Sequence, residues 1–226
     1  MPKTHFSEET LHFYRELRNN NNRPWFQEQK GRYDLVKEES QDFLASIEEA
    51  MNQHDDIERA KVLRIYRDVR FSKDKTPYKT SLSISFTRRK PALRGGYFLQ
   101  VTPGDQSFIA AGFWSPESAD LKLIRQNIDF DHQNFRKAIE TPSLRKAWGE
   151  MQGVQVKTSP KGYDKNHPAI DLLRHKQFIF TRTYSDADVT TPKFVDAISK
   201  SFQAIRPFFD YMSMILTHDL NGEPLY

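Results

Sequence analysis

The sequence predicts an α+β protein: a single domain over residues 1–226, in which a mostly antiparallel sheet has helices packed on one face. Three observations favour this class. Apolar residues recur at the 3.6-residue period of a helix through the first 55 residues, alternate with polar residues between 61 and 114, and return to the helical period near the C-terminus. No internal repeat, low-complexity tract or linker interrupts the sequence, which is why one domain is expected.

The N-terminal region is predicted to be helical. Ser7 is followed by two glutamates, which suit the positive end of a helix dipole, and is predicted to be an N-cap. This first helix is expected to run to about Asn19, where four consecutive asparagines favour a turn. Pro24 suits the first turn of a second helix, and a third, longer helix is expected to end near Gln53.

Four strands are predicted in the middle of the chain. Residues 62–71 and 80–87 are expected to form the first two, because apolar and polar side chains alternate through both. Residues 97–102 and 107–114 are predicted to form a hairpin, since the Pro103-Gly104-Asp105 sequence between them is typical of a turn.

Helices and short strands are expected to alternate in the rest of the chain. In order, the expected elements are helices from about Ser115, Asp131 and Ser143, a strand at 153–157, a short helix after His167-Pro168, a strand at 177–184 and a long C-terminal helix from Thr191-Pro192. Pro207 should kink or split that last helix near Arg206, because proline removes a helical hydrogen bond and crowds the preceding turn.

Composition excludes some classes of protein. The 226 residues include no cysteine, which rules out disulfides and thiolate metal sites and is consistent with a cytoplasmic location. The 17 Phe, 9 Tyr and 3 Trp argue against a disordered chain, because disordered chains are poor in aromatic residues. No stretch approaches the roughly 20 apolar residues of a membrane helix, and the N-terminus has no apolar signal-peptide core. A cytoplasmic protein without a membrane partner is therefore expected.

Positive charge is concentrated in one segment. The chain carries 34 Lys and Arg against 30 Asp and Glu, a net charge of +4. Residues 61–90 hold ten of the basic residues and two of the acidic ones, so the rest of the chain is net negative. This concentration favours an anionic partner. The alternative is a solvated basic edge strand, because lysines commonly protect sheet edges.

Residues 64–79 are the strongest candidate for a site. On a strand, Arg64, Tyr66, Asp68 and Arg70 would project from one face, while Phe71 and most of the other apolar side chains would face a core. Planar guanidinium groups bind phosphate and carboxylate through paired hydrogen bonds, so an anionic small molecule is the expected ligand. The predicted ligand-binding residues here are Arg64, Arg67, Arg70, Lys73, Asp74, Lys75, Tyr78 and Lys79. Asp68 is predicted to orient an arginine or to handle a proton; the alternative is that Asp68 simply pairs with a neighbouring arginine and the lysines are exposed.

A second candidate cluster lies between the first two predicted helices. Arg23 and Trp25, which follow Asn20 and Asn21, could read a nucleobase or a sugar through a guanidinium, an indole and side-chain amides. The alternative is a capped turn between helices with Trp25 in the core, since asparagine is common in turns.

Acidic residues and histidines cluster later in the chain, at Asp164, His167, Asp171 and His175. Their spacing matches no established metal motif, so no metal site is predicted. His167, near Asp164, is predicted as a general acid or base, because imidazole titrates close to neutral pH. No nucleotide-binding glycine motif is present, and no cofactor is predicted.

Three functions are compatible with these patterns. The first is an enzyme that acts on a phosphorylated or otherwise anionic small molecule, the second a nucleic-acid-binding module that uses the same basic strand and loop, and the third a non-catalytic domain that binds an acidic motif of a protein partner. A small-molecule site should be a concave pocket, whereas a nucleic-acid surface should be an open basic stripe. The compactness of residues 64–79 favours the pocket.

The basic segment is also part of a longer signature. It reads Arg64-x-x-Arg67-Asp68-x-Arg70-Phe71, followed by Asp74-Lys75-x-x-Tyr78-Lys79. Three other stretches accompany it: Asn20-Asn21-Asn22-Arg23-x-Trp25-Phe26, Gly95-Gly96-Tyr97 through Pro103-Gly104, and Asp164-x-x-His167-Pro168. In these stretches, spread over most of the chain, the sequence resembles the DUF2461 family. That family comprises uncharacterised proteins of about this length, so the resemblance implies a shared site without supplying an activity.

Overall fold

The structure, a computed structural model, describes residues 3–219 and 221–225. These residues form ten helices and a five-stranded antiparallel sheet, so the predicted α+β class is confirmed. The helices are α1 (Glu8–Asn19), α2 (Arg23–Glu28), α3 (Lys30–Asn52), α4 (Ser118–Phe130), α5 (His132–Ile139), α6 (Pro142–Trp148), α7 (Ile170–Leu173), α8 (Asp186–Val189), α9 (Phe194–Ala204) and α10 (Arg206–Thr217). The strands are β1 (Ile57–Val62), β2 (Leu82–Arg88), β3 (Gly96–Val101), β4 (Ser107–Phe113) and β5 (Phe178–Tyr184).

The strands lie in the sheet in the order in which they occur in the chain, β1-β2-β3-β4-β5. The predicted hairpin is confirmed as β3 and β4. Its turn contains Gly104 with φ 89° and Asp105 with φ 59°, the left-handed conformation that glycine and aspartate tolerate better than most residues.

The predicted strand at 62–71 is wrong. The first strand, β1, ends at Val62, and the segment 63–81 that follows is irregular apart from an isolated antiparallel bridge between Tyr66 and Tyr78. Exposed side chains still alternate with less exposed ones up to residue 70, because the bridge keeps the backbone extended. Phe71, however, is 98% exposed and does not face a core.

Two compact units can be distinguished. The first contains the described residues up to Phe86, together with Phe98–Ile109 and Thr183–Lys200. In this unit α1 packs on α3, and the ring centroids of Phe6 and Phe43 lie 4.3 Å apart. The predicted N-cap is confirmed, since the Ser7 hydroxyl accepts a hydrogen bond from the backbone N–H of Thr10.

The second unit contains Thr87–Tyr97, Ala110–Arg182 and the described residues from Ser201 onward. In this unit α10 packs against α4 and α5. The predicted C-terminal helix is present as α9 and α10, which meet at Ile205, so the expected effect of Pro207 is confirmed. The predicted cap of α5 is also confirmed, because the Asp131 side chain accepts from the N–H of Asn134.

Three other details differ from the sequence-based predictions. No strand is present at 153–157 among the described residues; Gln152 and Gln155 instead form isolated bridges with Ile179 and His175. The short helix α8, with a capping box between Ser185 and Asp188, was not predicted. In α4, the expected cap at Ser115 is replaced by Glu117, which makes no side-chain cap.

The extent of the single domain over residues 1–226 stays a prediction. Every helix in the part of the chain that the structure describes is too short or too polar to cross a membrane.

Candidate functional site

The candidate site is a cleft in the first unit. It has a volume of about 550 Å³ and is formed by residues of α2 and of the segment 63–81. Its lining residues are Arg23, Pro24, Gln27, Tyr66, Arg67, Val69, Pro77 and Tyr78. The cleft therefore brings together three of the predicted ligand-binding residues: Arg23, Arg67 and Tyr78.

A single asparagine joins the turn before α2 to the far end of the bridged segment. The Nδ2 of Asn21 donates to the backbone oxygen of Tyr78 at 2.9 Å, and its Oδ1 accepts from the backbone N–H of the same residue at 3.1 Å. This pair of bonds has the same donor and acceptor pattern as a hydrogen-bonded residue pair in an antiparallel sheet. Asn21 therefore fixes the separation of the two walls of the cleft.

The neighbouring asparagines have local roles. The Nδ2 of Asn20 donates to the backbone oxygen of Glu16 at 3.0 Å, and the Oδ1 of Asn22 caps α2 by accepting from the N–H of Trp25, also at 3.0 Å. Trp25 is half-buried, with its ring centroid 6.1 Å from that of Phe13. These contacts favour the capped turn over the alternative of a nucleobase-reading cluster.

An aromatic stack supports one wall of the cleft, which Tyr66 and Tyr78 line and against which Phe26 packs from behind. The rings of Phe26 and Tyr78 are stacked, with centroids 4.0 Å apart and an interplanar angle of 18°. Tyr66 lies 5.4 Å from Tyr78 across the bridge and is 52% exposed. Burial, and to a smaller extent the neighbouring Tyr66, raises the pKa of Tyr78, so its hydroxyl stays neutral at physiological pH. The wall thus offers one accessible aromatic ring, that of Tyr66, on a rigid support.

Arg67 is held in the cleft by the loop that follows it. Its Nη1 donates to the carboxylate of Asp74, to the hydroxyl of Thr76 and, at 3.2 Å, to the backbone oxygen of Thr76. Its backbone N–H donates to Pro77 at 2.9 Å. The backbone N–H of Thr76, followed by the Arg67 guanidinium, lowers the pKa of Asp74 to about 2. Asp74 is therefore ionised at neutral pH and positions Arg67.

Arg70 and Asp68 form a second internal ion pair. Nε and Nη2 of Arg70 donate to the two carboxylate oxygens of Asp68 at 3.0 and 2.6 Å. These side-chain bonds are the main reason that the pKa of Asp68 is lowered. A carboxylate with a lowered pKa is a weak base, so this geometry suits Asp68 to orienting Arg70 better than to accepting a proton. Lys75, in turn, donates to the backbone oxygen of Val69 at 2.9 Å and closes the loop.

Five of the predicted cations form no ion pair with a carboxylate of the described residues: Arg23, Arg64, Lys73, Lys75 and Lys79. Arg23 lines the cleft and, like Arg64 and Lys73, is exposed. Lys79 is half-buried, and burial, with a smaller effect from Arg64, lowers its pKa. Positive charge that no ion pair with a described residue offsets is therefore available at the cleft through Arg23.

His167 belongs to the second unit. Its Nδ1 accepts from the backbone N–H of Ala169 at 3.0 Å, next to the start of α7, and its Nε2 lies 3.1 Å from Oδ1 of Asp129. The Asp164 carboxylate accepts from the N–H of Asn166, while the backbone oxygen of Asp164 accepts from the backbone N–H of His167 at 3.1 Å. The role of His167 as a general acid or base stays a prediction.

The other members of that cluster are engaged elsewhere. Asp171 makes a bidentate ion pair with Arg136. His175 lies within hydrogen-bond distance of the side chain of Gln155 and the backbone oxygen of Gln177. Within residues 3–219 and 221–225, no group of three His, Asp or Glu side chains converges so as to hold a metal ion.

Five of the lining residues were outside the predicted binding set, and for two of them the sequence contains a signal. Gln27 lies four residues after Arg23 on α2, so both side chains lie on the same helix face. Tyr66 lies opposite Tyr78 in the bridge, and cross-strand neighbours share a face.

The comparisons with known proteins agree with the signature. The family model described as conserved hypothetical protein DUF2461 matches residues 9–211, nearly the whole chain. No curated protein and no solved structure matches the chain. The matched range includes every residue of the cleft and of the signature around it. The chain therefore belongs to the DUF2461 family.

Proposed function

We propose that the cleft binds a small molecule that carries a phosphate or carboxylate group beside a flat or apolar part. One observation carries this proposal: Arg23 lines a cleft of ligand size, next to Tyr66 and Arg67, and has no carboxylate partner among the described residues. Small-molecule sites typically measure about 300–1,000 Å³, and the cleft measures about 550 Å³.

The lining residues assign a part of the ligand to each region of the cleft. Arg23 supplies a guanidinium that forms no ion pair with a described carboxylate, and Arg67 supplies one whose orientation Asp74 and Thr76 fix. Guanidinium groups prefer planar or tetrahedral oxyanions, because their N–H groups match the oxygen spacing. The exposed ring of Tyr66 offers a face on which a planar group can stack.

The chemistry of the carboxylates favours binding over proton transfer. Asp74 and Asp68 both have lowered pKa values, caused mainly by hydrogen bonds from Thr76 and Arg70 respectively. Neither is suited to act as a general acid or base near neutral pH. The proposed role of the arginines is therefore to hold an anion.

The experiment is a thermal-shift screen with nucleoside monophosphates, sugar phosphates and aromatic carboxylates, followed by calorimetric titration of the strongest hit. We expect Arg23→Gln to weaken binding of that hit at least tenfold, because a charge-assisted hydrogen bond contributes about 1.5–3 kcal/mol. Arg59→Gln is the matched control, because it removes the same charge from an exposed residue of β1 that does not line the cleft. The proposal fails if nothing in the screen raises the melting temperature, or if both variants lose affinity equally.

A second candidate function, single-stranded nucleic-acid binding, is favoured by Phe71. This ring is 98% exposed and adjoins Arg70 and Lys73, a combination typical of surfaces on which bases stack. Fluorescence anisotropy with a labelled single-stranded oligonucleotide at two salt concentrations tests it. Steeply salt-dependent binding that Phe71→Ala weakens and Arg23→Gln does not would support this function over the first.

A further inference from the structure

A second cleft lies in the second unit and has a volume of about 530 Å³. One side is a face of α4 on which Ser118, Lys122, Arg125 and Asp129 follow one another at spacings of three and four residues. The other side is the loop 161–163, which contributes Lys161 and Tyr163. The adjacent face of α4, with Ile124 and Ile128, is buried.

Arg125 is fixed at this cleft by backbone oxygens. Its Nε donates to Leu173 at 3.0 Å and its Nη2 to His175 at 3.4 Å. It has no carboxylate partner in the described part of the chain, and desolvation lowers its pKa. A guanidinium that is partly removed from water and not neutralised by a carboxylate gains more from binding an anion than a solvated one does.

Two lysines add to this charge. Lys122 and Lys161 are exposed and line the cleft, and neither forms an ion pair with another described residue. Together with Arg125 they bring three cations to a cleft that has one carboxylate in its lining, that of Asp129. The cleft therefore has a net positive charge.

Asp129 is oriented by His167. Because Nδ1 of His167 accepts from the backbone N–H of Ala169, the ring proton lies on Nε2, which donates to Oδ1 of Asp129 at 3.1 Å. This bond leaves Oδ2 of Asp129 as an acceptor, since no described residue donates to it. His167 thus positions a carboxylate at the edge of a basic cleft.

From this juxtaposition we propose that the second cleft binds a small phosphorylated molecule with hydroxyl groups, as a sugar phosphate has. Lys122, Arg125 and Lys161 bind the phosphate, and Asp129 accepts a hydrogen bond from a hydroxyl. This site is separate from the one proposed in the first unit and does not depend on it.

The test is calorimetric titration of the full chain with ribose 5-phosphate, inorganic phosphate and ribose. Ribose 5-phosphate should bind more tightly than either of the other two probes. The double variant Lys122→Gln/Lys161→Gln should bind it at least tenfold more weakly, whereas the control Lys157→Gln/Lys176→Gln, which removes the same charge from exposed lysines outside the cleft, should bind it as the unchanged protein does. Arg23→Gln should also leave this affinity unchanged.

Asp129→Ala separates recognition of the hydroxyl from a structural effect. Removing a negative charge beside a phosphate site should strengthen binding of inorganic phosphate, while the preference for ribose 5-phosphate over phosphate is lost. A general disturbance of the cleft would weaken both. The proposal is overturned if ribose 5-phosphate does not bind at millimolar concentrations, if the control lysine pair loses as much affinity as the cleft pair, or if Asp129→Ala weakens both ligands equally.

Discussion

Glu39 on α3 accepts hydrogen bonds from both the backbone N–H and the hydroxyl of Ser7, the N-cap of α1, at 2.9 and 3.0 Å. The hydroxyl of Thr10 donates to the same carboxylate, and Nζ of Lys3 lies 2.8 Å from it. Burial alone would raise the pKa of Glu39, but the bonds from Lys3, Thr10 and Ser7 together bring that pKa below its ordinary value. One carboxylate therefore joins the start of α1 to the middle of α3.

We expect Glu39→Gln to lower the free energy of unfolding by about 1–3 kcal/mol at neutral pH, because an amide cannot accept all of these bonds. The pKa is depressed in the folded state, so the contribution of Glu39 is fully present above the unfolded value of about 4.3 and decreases as the pH falls toward the folded value. Urea denaturation across this range measures it. Glu38→Gln, at an exposed neighbour, is the control; a Glu39 effect that does not shrink on acidification would contradict the account.

Asn21→Ala should destabilise the first unit by about 2 kcal/mol, because it removes both bonds to the backbone of the buried Tyr78. Chemical denaturation compares it with Asn19→Ala, a substitution at the exposed last residue of α1. Equal free energies of unfolding for the two variants would mean that water replaces the hydrogen bonds of Asn21 without loss of stability.

The Asp74 carboxyl should titrate with a pKa of about 2 in the folded protein, as followed by NMR of its side-chain carbon. Arg67→Ala should raise this pKa only part of the way to its ordinary value, because the larger cause is the backbone N–H of Thr76. Arg64→Ala serves as the control, since Arg64 makes no bond to Asp74. Any stability that Asp74 provides is present above about pH 4 and is lost as the pH falls toward 2.

Gly112→Ala should cost at least about 3 kcal/mol. Gly112 has φ 139°, and a Cβ there would lie 2.1 Å from the backbone oxygen of Phe178 on the adjacent strand. Gly31→Ala is the matched control: nothing lies within 4 Å of its Cβ, and in the helix α3 alanine should be neutral or stabilising by up to about 1 kcal/mol. Thermal denaturation measures both, and similar melting temperatures would refute the assigned contact.

Features set by neighbouring residues could be predicted from the sequence. The caps at Ser7 and Asp131, the β3–β4 turn and the break before Pro207 each depend on a few consecutive residues. Whether residues 62–71 form a strand could not be decided from neighbouring residues alone. Alternation reports that the backbone is extended, whereas a strand also needs a partner, and after the bond from Leu63 to Ser83 the chain leaves β2.

The candidate site was predictable in part for the same reason. Charge and signature placed Arg67 and Tyr78 in one segment, and the sequence left open that Asp68 pairs with a neighbouring arginine, as it does with Arg70. The pairing of Asp74 with Arg67 was not predicted. The cleft also needs Arg23, which is brought to it by a contact between residues 57 positions apart. Such long-range pairing leaves no periodic pattern in a single sequence.

The bond from Tyr78 to Asn21 has a consequence for the motion of the cleft. The Tyr78 amide hydrogen is held by a side chain from the turn before α2, so its exchange with solvent requires this hydrogen bond to open. Its exchange rate therefore reports how often this bond between the two walls is broken. A molecule that bridges both walls would slow the exchange of the Tyr78 amide hydrogen more than the exchange of amide hydrogens at distant helix ends. Binding could therefore be detected by hydrogen exchange before the ligand is identified.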